Sequence, residues 1–548
     1  MEKQSTTLAT SNEKIVRKTT KYHPSIWGDY FIHHAISPAP TKVSIRAEEL
    51  KEQIKNLFRE TTDILQIMNF VDAIQLLGLD YHFEKEIDAA LNLISKHDAK
   101  NYQLYEISLQ FRLLRQHGVY VSADVFNKFK DEEGNFTSTL NEDAKGLLSL
   151  YNAAYLRIHG EHILDEAILF TKNRLASLSD ELKEGPLVTL VSLFLETPIC
   201  LRNRRLLARK YIPIYQEEER RNDAILEFAK LDFNLLQSFH QEELKKMSIW
   251  WNDLGLAKSL NFVRDRLVEC YYWILNVYFE PQYSRARLIC TRVISFLSLM
   301  DDIYDNYSTL QESQLLTEAI QRWEPEAVDG LPEYLKDYYL KLLRTFEELE
   351  NELESDEKYR ISFLRDEIKR LSRSYFLEVE WGVGKYVPTL EEHLSNSLAT
   401  TGYPTLACAS YVGMGPVATK EVFEWLASFP KIVKASAMIC RLLDDTSSSR
   451  KLEQQRDLAA STVESYTKEF ATDEKEAYKN LMEMVEDAWK DHNEECLNPT
   501  QIPRVLIERI VNFSRTMEEF YKSVDTYTDA ETTMKDNVCM VLVESVPV

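Results

Sequence analysis

Apolar residues recur every three to four positions along most of this chain, as in QLYEISLQFRLLRQHG (103–118) and YLKLLRTFEELENELES (339–355), and no Asn-Gly hairpin signal interrupts them. A period of 3.6 puts one apolar stripe on a helix, whereas a strand needs alternation with period 2, so the pattern excludes a sheet as the main framework. With only 14 Gly and 16 Pro in 548 residues, few turns are available, which favours long helices. Such a length exceeds one ordinary domain and suggests about two to four. The best internal boundary is YIPIYQEEERRNDA (211–224), where Pro213 and dense charge interrupt the pattern. The expected architecture is all-α with two helical domains: an arm over 1–34, an N-terminal domain over 35–226 and a C-terminal domain over 227–548. Within the arm, HPSIWGDYF (23–31) reads as a docking segment rather than a helix, anchored by Trp27.

The formal charge of −23 argues against a nucleic-acid surface, which needs a clustered positive field. The one notable basic run, RNRRLLARK (202–210), reads as a solvated helix face and is assigned no function. Seven cysteines form no CxxC pair, the pattern of free thiols in a reducing compartment rather than of a zinc site or disulfide framework. No apolar run approaches the roughly 20 residues of a membrane span, and the N-terminus lacks a signal-peptide core. A cytoplasmic chain without stable membrane insertion is expected, an organelle transit peptide being the weaker alternative.

Two clusters of oxygen ligands stand at the ends of apolar helical stretches. In VISFLSLMDDIYD (293–305), Ile294, Leu297, Ser298, Asp301 and Asp305 share one stripe, so two carboxylates cap an apolar face. Like charges at i and i+4 repel, and a helix that buries such a pair requires a cation. Oxygen ligands without nitrogen or sulfur suit Mg²⁺, which bridges carboxylates to phosphate oxygens. The second cluster, LLDDTSSSRKLE (442–453), follows KIVKASAMICR (431–441). In an unbroken helix Asp445, Ser449 and Glu453 share a face, whereas Asp444 and Glu453 lie about 180° apart. Arg264 and Arg266 in FVRDRLVE, with Arg441, supply planar forks for an anion. Trp273, seven residues beyond Arg266 in an aromatic-rich helix, offers an indole face to a cation.

Together with DDIYD, the segments RDR (264–266), FEPQYSRAR (279–287), HPSIWGDYF, YHFEKEID (81–88) and FRLLRQHG (111–118) make the chain resemble plant class I terpene synthases, specifically sesquiterpene cyclases, over nearly its whole length. The resemblance implies a catalytically silent N-terminal helical domain and a C-terminal α-bundle. In that bundle three Mg²⁺ ions, with Mn²⁺ as a substitute, ionise farnesyl diphosphate. It implies metal-ligand positions at Asp301 and Asp305, with Asp302 in the motif but behind them. Arg264 and Arg441 correspond to diphosphate binders, Arg266 to a helper and Trp273 to a cavity aromatic. Asp525 and Tyr527 in VDTYTD, with Tyr521 nearby, fall where the family places residues near the cavity. Thr400, Thr401 and Tyr403 in LATTGY match a pocket-lining helix break, with Gly402 where the resemblance implies a hydroxyl or a larger side chain in relatives. The family's second metal motif, counted from Asp444, ends on Leu452. Either the regular helix with Asp445, Ser449 and Glu453 applies, which we favour, or a one-residue π-bulge restores Asp444 with Ser448 or Ser449. No tandem-arginine motif precedes Trp27, unlike plastid monoterpene synthases, and no DxDD appears, which leaves loss of diphosphate as the initiating step. A monomer is expected. The alternatives are a chain-elongating prenyltransferase, a monoterpene synthase using geranyl diphosphate, and an inert helical scaffold.

Overall fold

Helices carry the regular structure. The computed structural model describes residues 22–34, 41–98, 100–179, 185–447, 459–498 and 500–548; among them there is no strand, and the one β-bridge joins Lys130 to Phe136. The all-α expectation holds. None of these helices is long and apolar enough to cross a membrane, and all seven cysteines are free thiols.

In the N-terminal half, α1 (Thr41–Glu60) and α2 (Leu104–Gln116) are followed by α3 (Arg204–Glu217). Pro213 does not end α3, which continues to Glu217; the chain breaks at Glu218–Asn222 instead. The next helix, α4 (Asp223–Leu254), starts where the Asn222 side chain accepts the Ile225 N–H and stops at Gly255, whose φ of 68° suits a residue without Cβ. α4 packs on α1 and also on α5 (Leu267–Val277), so one long helix joins the two halves.

The basic run at 202–210 is not a solvated face. Arg202 and Arg205 are buried. Arg205 donates to the Phe233 carbonyl at 2.6 Å and lies 3.7 Å from the Phe233 ring centre. Arg204 pairs with Asp80 and, at 3.2 Å, with Glu508 of the C-terminal half. Helical spacing places such arginines on a face but does not say what packs against that face. The HPSIWGDYF segment docks as expected, apart from one helical turn at Tyr30–His33. Trp27 is buried and its Nε1–H donates to Glu269 Oε1 at 3.0 Å.

The C-terminal half surrounds a cavity with α5, α6 (Ser284–Asp302), α7 (Tyr359–Gly384), α8 (Leu390–Thr400), α9 (Tyr403–Val412) and α10 (Lys431–Thr446). They are completed by α11 (Thr462–Phe470) and α12 (Arg504–Phe520). Helix α6 packs between α5 and α9, and α10 packs between α9 and α12. Two breaks aim side chains inward. Between α8 and α9, Gly402 adopts φ +71°, a left-handed conformation that costs a residue with Cβ about 1–2 kcal/mol. At its C-terminus α10 stops at Thr446, because Ser447 turns to an extended ψ of 148°.

Candidate functional site

Asp301 ends the apolar face of α6, and the backbone then widens into a π-turn over Ile303–Tyr307, closed by the Ser308 N–H to the Ile303 carbonyl at 2.9 Å. The expected regular helix is therefore replaced by a wider turn at Asp305, of a kind frequent at functional sites. The stripe survives: Ile294, Leu297, Ser298, Asp301 and Asp305 all line one cavity. On the facing wall, α10 contributes Cys440, Arg441, Asp444 and Asp445. Thr400, Thr401 and Gly402 enter from the α8–α9 break, Trp273 from α5, and Tyr521, Asp525 and Tyr527 from the segment after α12. The lining combines these polar and acidic groups with the apolar side chains of Ile294, Leu297, Val379 and Leu406 and the indole of Trp273.

Both arginines that reach the cavity are held by carboxylates. Arg264 forms an ion pair with Asp301 at 2.5 Å and with Asp302 at 3.0 Å, and Asp302 also accepts the Arg264 backbone N–H at 2.7 Å. Arg441 lies 3.1 Å from Asp445 and 3.5 Å from Asp444, and reaches the Thr400 hydroxyl at 3.3 Å. Among the described residues, six carboxylates line the cavity (Asp301, Asp305, Glu378, Asp444, Asp445, Asp525) against Arg264 and Arg441. That excess marks itself on Glu378. Burial, aided by the Asp301 and Asp445 charges and opposed by Arg441, pushes its carboxyl up to about 7. An all-oxygen donor set with surplus negative charge fits hard divalent cations.

Aromatic rings meet around Trp273. Phe520 stands 4.5 Å from it, centroid to centroid, and Tyr527 5.5 Å away edge-on. The Tyr527 hydroxyl donates to Ser298 at 2.6 Å, and its ring lies 5.2 Å from the Arg264 guanidinium. Asp525 orients this segment by accepting the backbone N–H groups of Tyr527 and Thr528, each at 2.9 Å.

Three residues expected at the site turn elsewhere. Arg266 is buried outside the cavity lining, where it hydrogen-bonds His23 and the Tyr527 and Thr528 carbonyls; it ties the arm to the C-terminal segment and is not placed to help hold an anion. Asp302 is fully buried and engaged by Arg264, so it supports that arginine and does not reach the cavity as a metal ligand. Tyr403 sits behind Trp273 and donates to the Phe513 carbonyl at 2.8 Å, because the left-handed Gly402 rotates it away from Thr400 and Thr401. Both registers proposed for the second cluster assumed helix through 453, but α10 ends at Thr446. Ser448, Ser449 and Glu453 lie outside the described residues.

Other lining residues escaped the sequence reading. Glu378 falls seven positions after Leu371 and fourteen after Leu364, both buried, so a carboxylate in register with a core stripe was the available signal. Its neighbour Tyr375 is a neutral phenol, held far above its ordinary pKa by burial and by the Asp301 and Asp305 charges. Tyr22 had no local signal. It enters from the arm, with the Asn306 amide donating to its hydroxyl at 2.9 Å and its ring 5.5 Å from the Arg264 guanidinium.

A cavity that brings carboxylates from two separate elements together with apolar and aromatic side chains is an arrangement for metal-assisted chemistry on a prenyl diphosphate, and the chain belongs to the terpene synthase family. Residues 252–491 match the model of the terpene synthase family metal binding domain, and residues 26–195 that of the terpene synthase N-terminal domain. The chain is 65% identical to alpha-humulene synthase of Zingiber zerumbet over the whole of both chains. To beta-eudesmol synthase of the same species it is 62% identical, over 100% of this chain and 99% of the relative. Among solved structures, isoprene synthase from grey poplar leaves (Populus x canescens), in complex with three Mg²⁺ ions and dimethylallyl-S-thiolodiphosphate, superposes with a TM-score of 0.87. It is 33% identical, over 92% of this chain and 98% of that one.

Proposed function

We propose that this enzyme is a cytoplasmic sesquiterpene synthase that ionises farnesyl diphosphate and cyclises the resulting carbocation with release of diphosphate. The observation that carries the reading is a single cavity lined by Asp301 and Asp305 from the end of α6 and its π-turn, by Asp444 from α10, and by apolar and aromatic side chains. The relatives named for humulene and eudesmol support it at the level of substrate class. Asp301, Asp305 and Asp444, which line the cavity, would hold Mg²⁺, three ions being expected by likeness to the poplar enzyme, with Mn²⁺ as a substitute. When bound, Mg²⁺ supplies charge neutralisation for the diphosphate leaving group.

The protein's own side chains do the rest. Arg264 and Arg441, fixed on opposite walls by their carboxylate partners, present guanidinium forks to the diphosphate and stabilise it as negative charge develops. The Trp273 face stabilises the allylic cation by about 0.5–2 kcal/mol. Ile294, Leu297, Val379 and Leu406 keep water from the cation while internal alkenes attack it. The final proton goes to diphosphate, directly or relayed through the Tyr527 hydroxyl, a neutral phenol held well above its ordinary pKa by burial.

Chain elongation would ordinarily show a second full aspartate-rich motif, and in this sequence Ser and Glu stand in the second cluster instead. The test is Asp301→Ala with farnesyl and geranyl diphosphates and Mg²⁺, reading diphosphate release and volatile products. A fall in kcat of about 10²-fold or more is expected, as for loss of one charge-stabilising group. Unchanged turnover would sink the proposal, and preference for the geranyl substrate would move the enzyme to another subclass.

A further inference from the structure

Side by side at the end of α10, Asp444 and Asp445 have different surroundings. Asp444 is about one third exposed and faces the cavity. Asp445 is fully buried, and both its oxygens are engaged by the protein: Oδ1 by the Arg441 guanidinium at 3.1 Å and Oδ2 by the Thr462 backbone N–H at 2.7 Å. Thr462 opens α11, a nine-residue helix whose first turn is closed by a reciprocal Ser461–Glu464 cap, so the Asp445 charge meets the positive end of a helix. From α8, the His393 ring hydrogen-bonds the Thr462 hydroxyl at 3.0 Å and lies 3.9 Å from Asp445. The other terminal nitrogen of Arg441 reaches Thr400 on α8.

We propose that Asp445 is a positioning residue for Arg441 rather than a metal ligand: a buried carboxylate that clasps the ends of α8, α10 and α11 and aims the guanidinium at the diphosphate. Binding a metal through Asp445 would require breaking a charge-assisted hydrogen bond and stranding the Thr462 N–H, whereas Asp444 is about one third exposed and its ion pair with Arg441 is longer, 3.5 Å against 3.1 Å. The inference rests on the cavity being a prenyl diphosphate site, and the test separates the two.

Inorganic diphosphate is titrated calorimetrically into wild type, Asp445→Asn, Asp444→Asn and Arg441→Lys in the presence of Mg²⁺. Mg²⁺ is also titrated against turnover at saturating substrate. For Asp445→Asn the diphosphate Kd and the substrate KM rise about tenfold or more, as for loss of a charged hydrogen-bond partner, while the Mg²⁺ concentration at half-maximal rate stays at the wild-type value. Asp444→Asn gives the opposite split. Arg441→Lys, which leaves the Asp445 carboxylate in place should Asp445→Asn fold poorly, reproduces the loss of diphosphate affinity. A double variant carrying both Asp445→Asn and Arg441→Lys then loses no more than either single one. A raised Mg²⁺ requirement in folded Asp445→Asn, unchanged diphosphate affinity, or additive losses in the double variant each overturn the inference. If wild type itself does not bind diphosphate with Mg²⁺, the reading of the cavity fails instead.

Discussion

Gly402 and Trp273 show what single side chains contribute. Gly402 holds φ +71°, and a Cβ there would stand 3.4 Å from Leu297 Cδ1, an ordinary contact rather than a clash. Gly402→Ala therefore costs mainly backbone strain, about 1–2 kcal/mol, and adds a methyl group to the cavity wall. We expect a melting temperature lower by about 2 °C or more and an altered product ratio by gas chromatography, with the substrate still consumed. A product ratio identical to wild type would show that this wall does not shape the folded substrate. Trp273 was legible in the sequence from its spacing to Arg266, although Arg266 itself turned away. Helical spacing gives a direction around one axis, and the neighbour that fills that direction is set by another segment. Tyr403 illustrates the same limit, since its position beside Thr401 says nothing of the left-handed residue between them.

At the scale of elements, the arm and the break after α10 matter most. The arm is fastened by Trp27, whose indole N–H meets Glu269, a fully buried carboxylate already raised by burial above the ordinary Glu range. Trp27→Phe removes the donor and leaves that carboxylate short of a partner, a loss of about 1–3 kcal/mol. Because Tyr22 on the same arm covers the cavity beside Arg264, looser docking admits water to the cation. The expected outcome is faster proteolysis within residues 22–34 and a larger share of alcohol products; unchanged cleavage and products would detach the arm from the chemistry. The docking segment was readable from its Pro, Trp and Gly cluster. Its Tyr22 was not, because a residue without periodic context carries no sign of what it will cover.

For the whole molecule, buried titratable groups join helices that are distant in sequence. Burial lowers His117 to about 4, helped by Arg504, and holds His492 at about 3 beside Ser514. Both stay neutral when folded and take up a proton on unfolding below about pH 6.5. The unfolded chain then binds more protons, so stability falls as pH drops through 6.5 toward 4 by about 1.4 kcal/mol per pH unit for each histidine. His492→Gln is expected to flatten the decline of melting temperature between pH 6.5 and 4.5. An unaltered slope would exclude His492 as a source. Glu508 acts lower on the scale: burial would raise it, but Arg509, Arg204, Arg515 and Arg504 pull it down to about 2. The stability it lends is complete above about pH 4.3 and is lost as pH falls from there toward 2. Glu508→Gln should therefore lower the melting temperature at neutral pH without changing the slope above pH 5.

By itself the sequence determined the helical class, the Asp301–Asp305 stripe and the cationic residues Arg264 and Arg441, because periodicity specifies the angular position of each side chain on its own helix. Only the tertiary structure decided that Asp445 is buried against Arg441 and the Thr462 N–H while Asp444 stays about one third exposed, that Arg266, Asp302 and Tyr403 turn away, and that Tyr22 and Glu378 join the lining. It also turned a basic run that reads as solvent-facing into a buried joint between the two halves. The physical reason is phase. A π-turn at Ile303–Tyr307, a left-handed Gly402 and an extended Ser447 each reset the helical count, and packing between helices then chooses which face becomes the site.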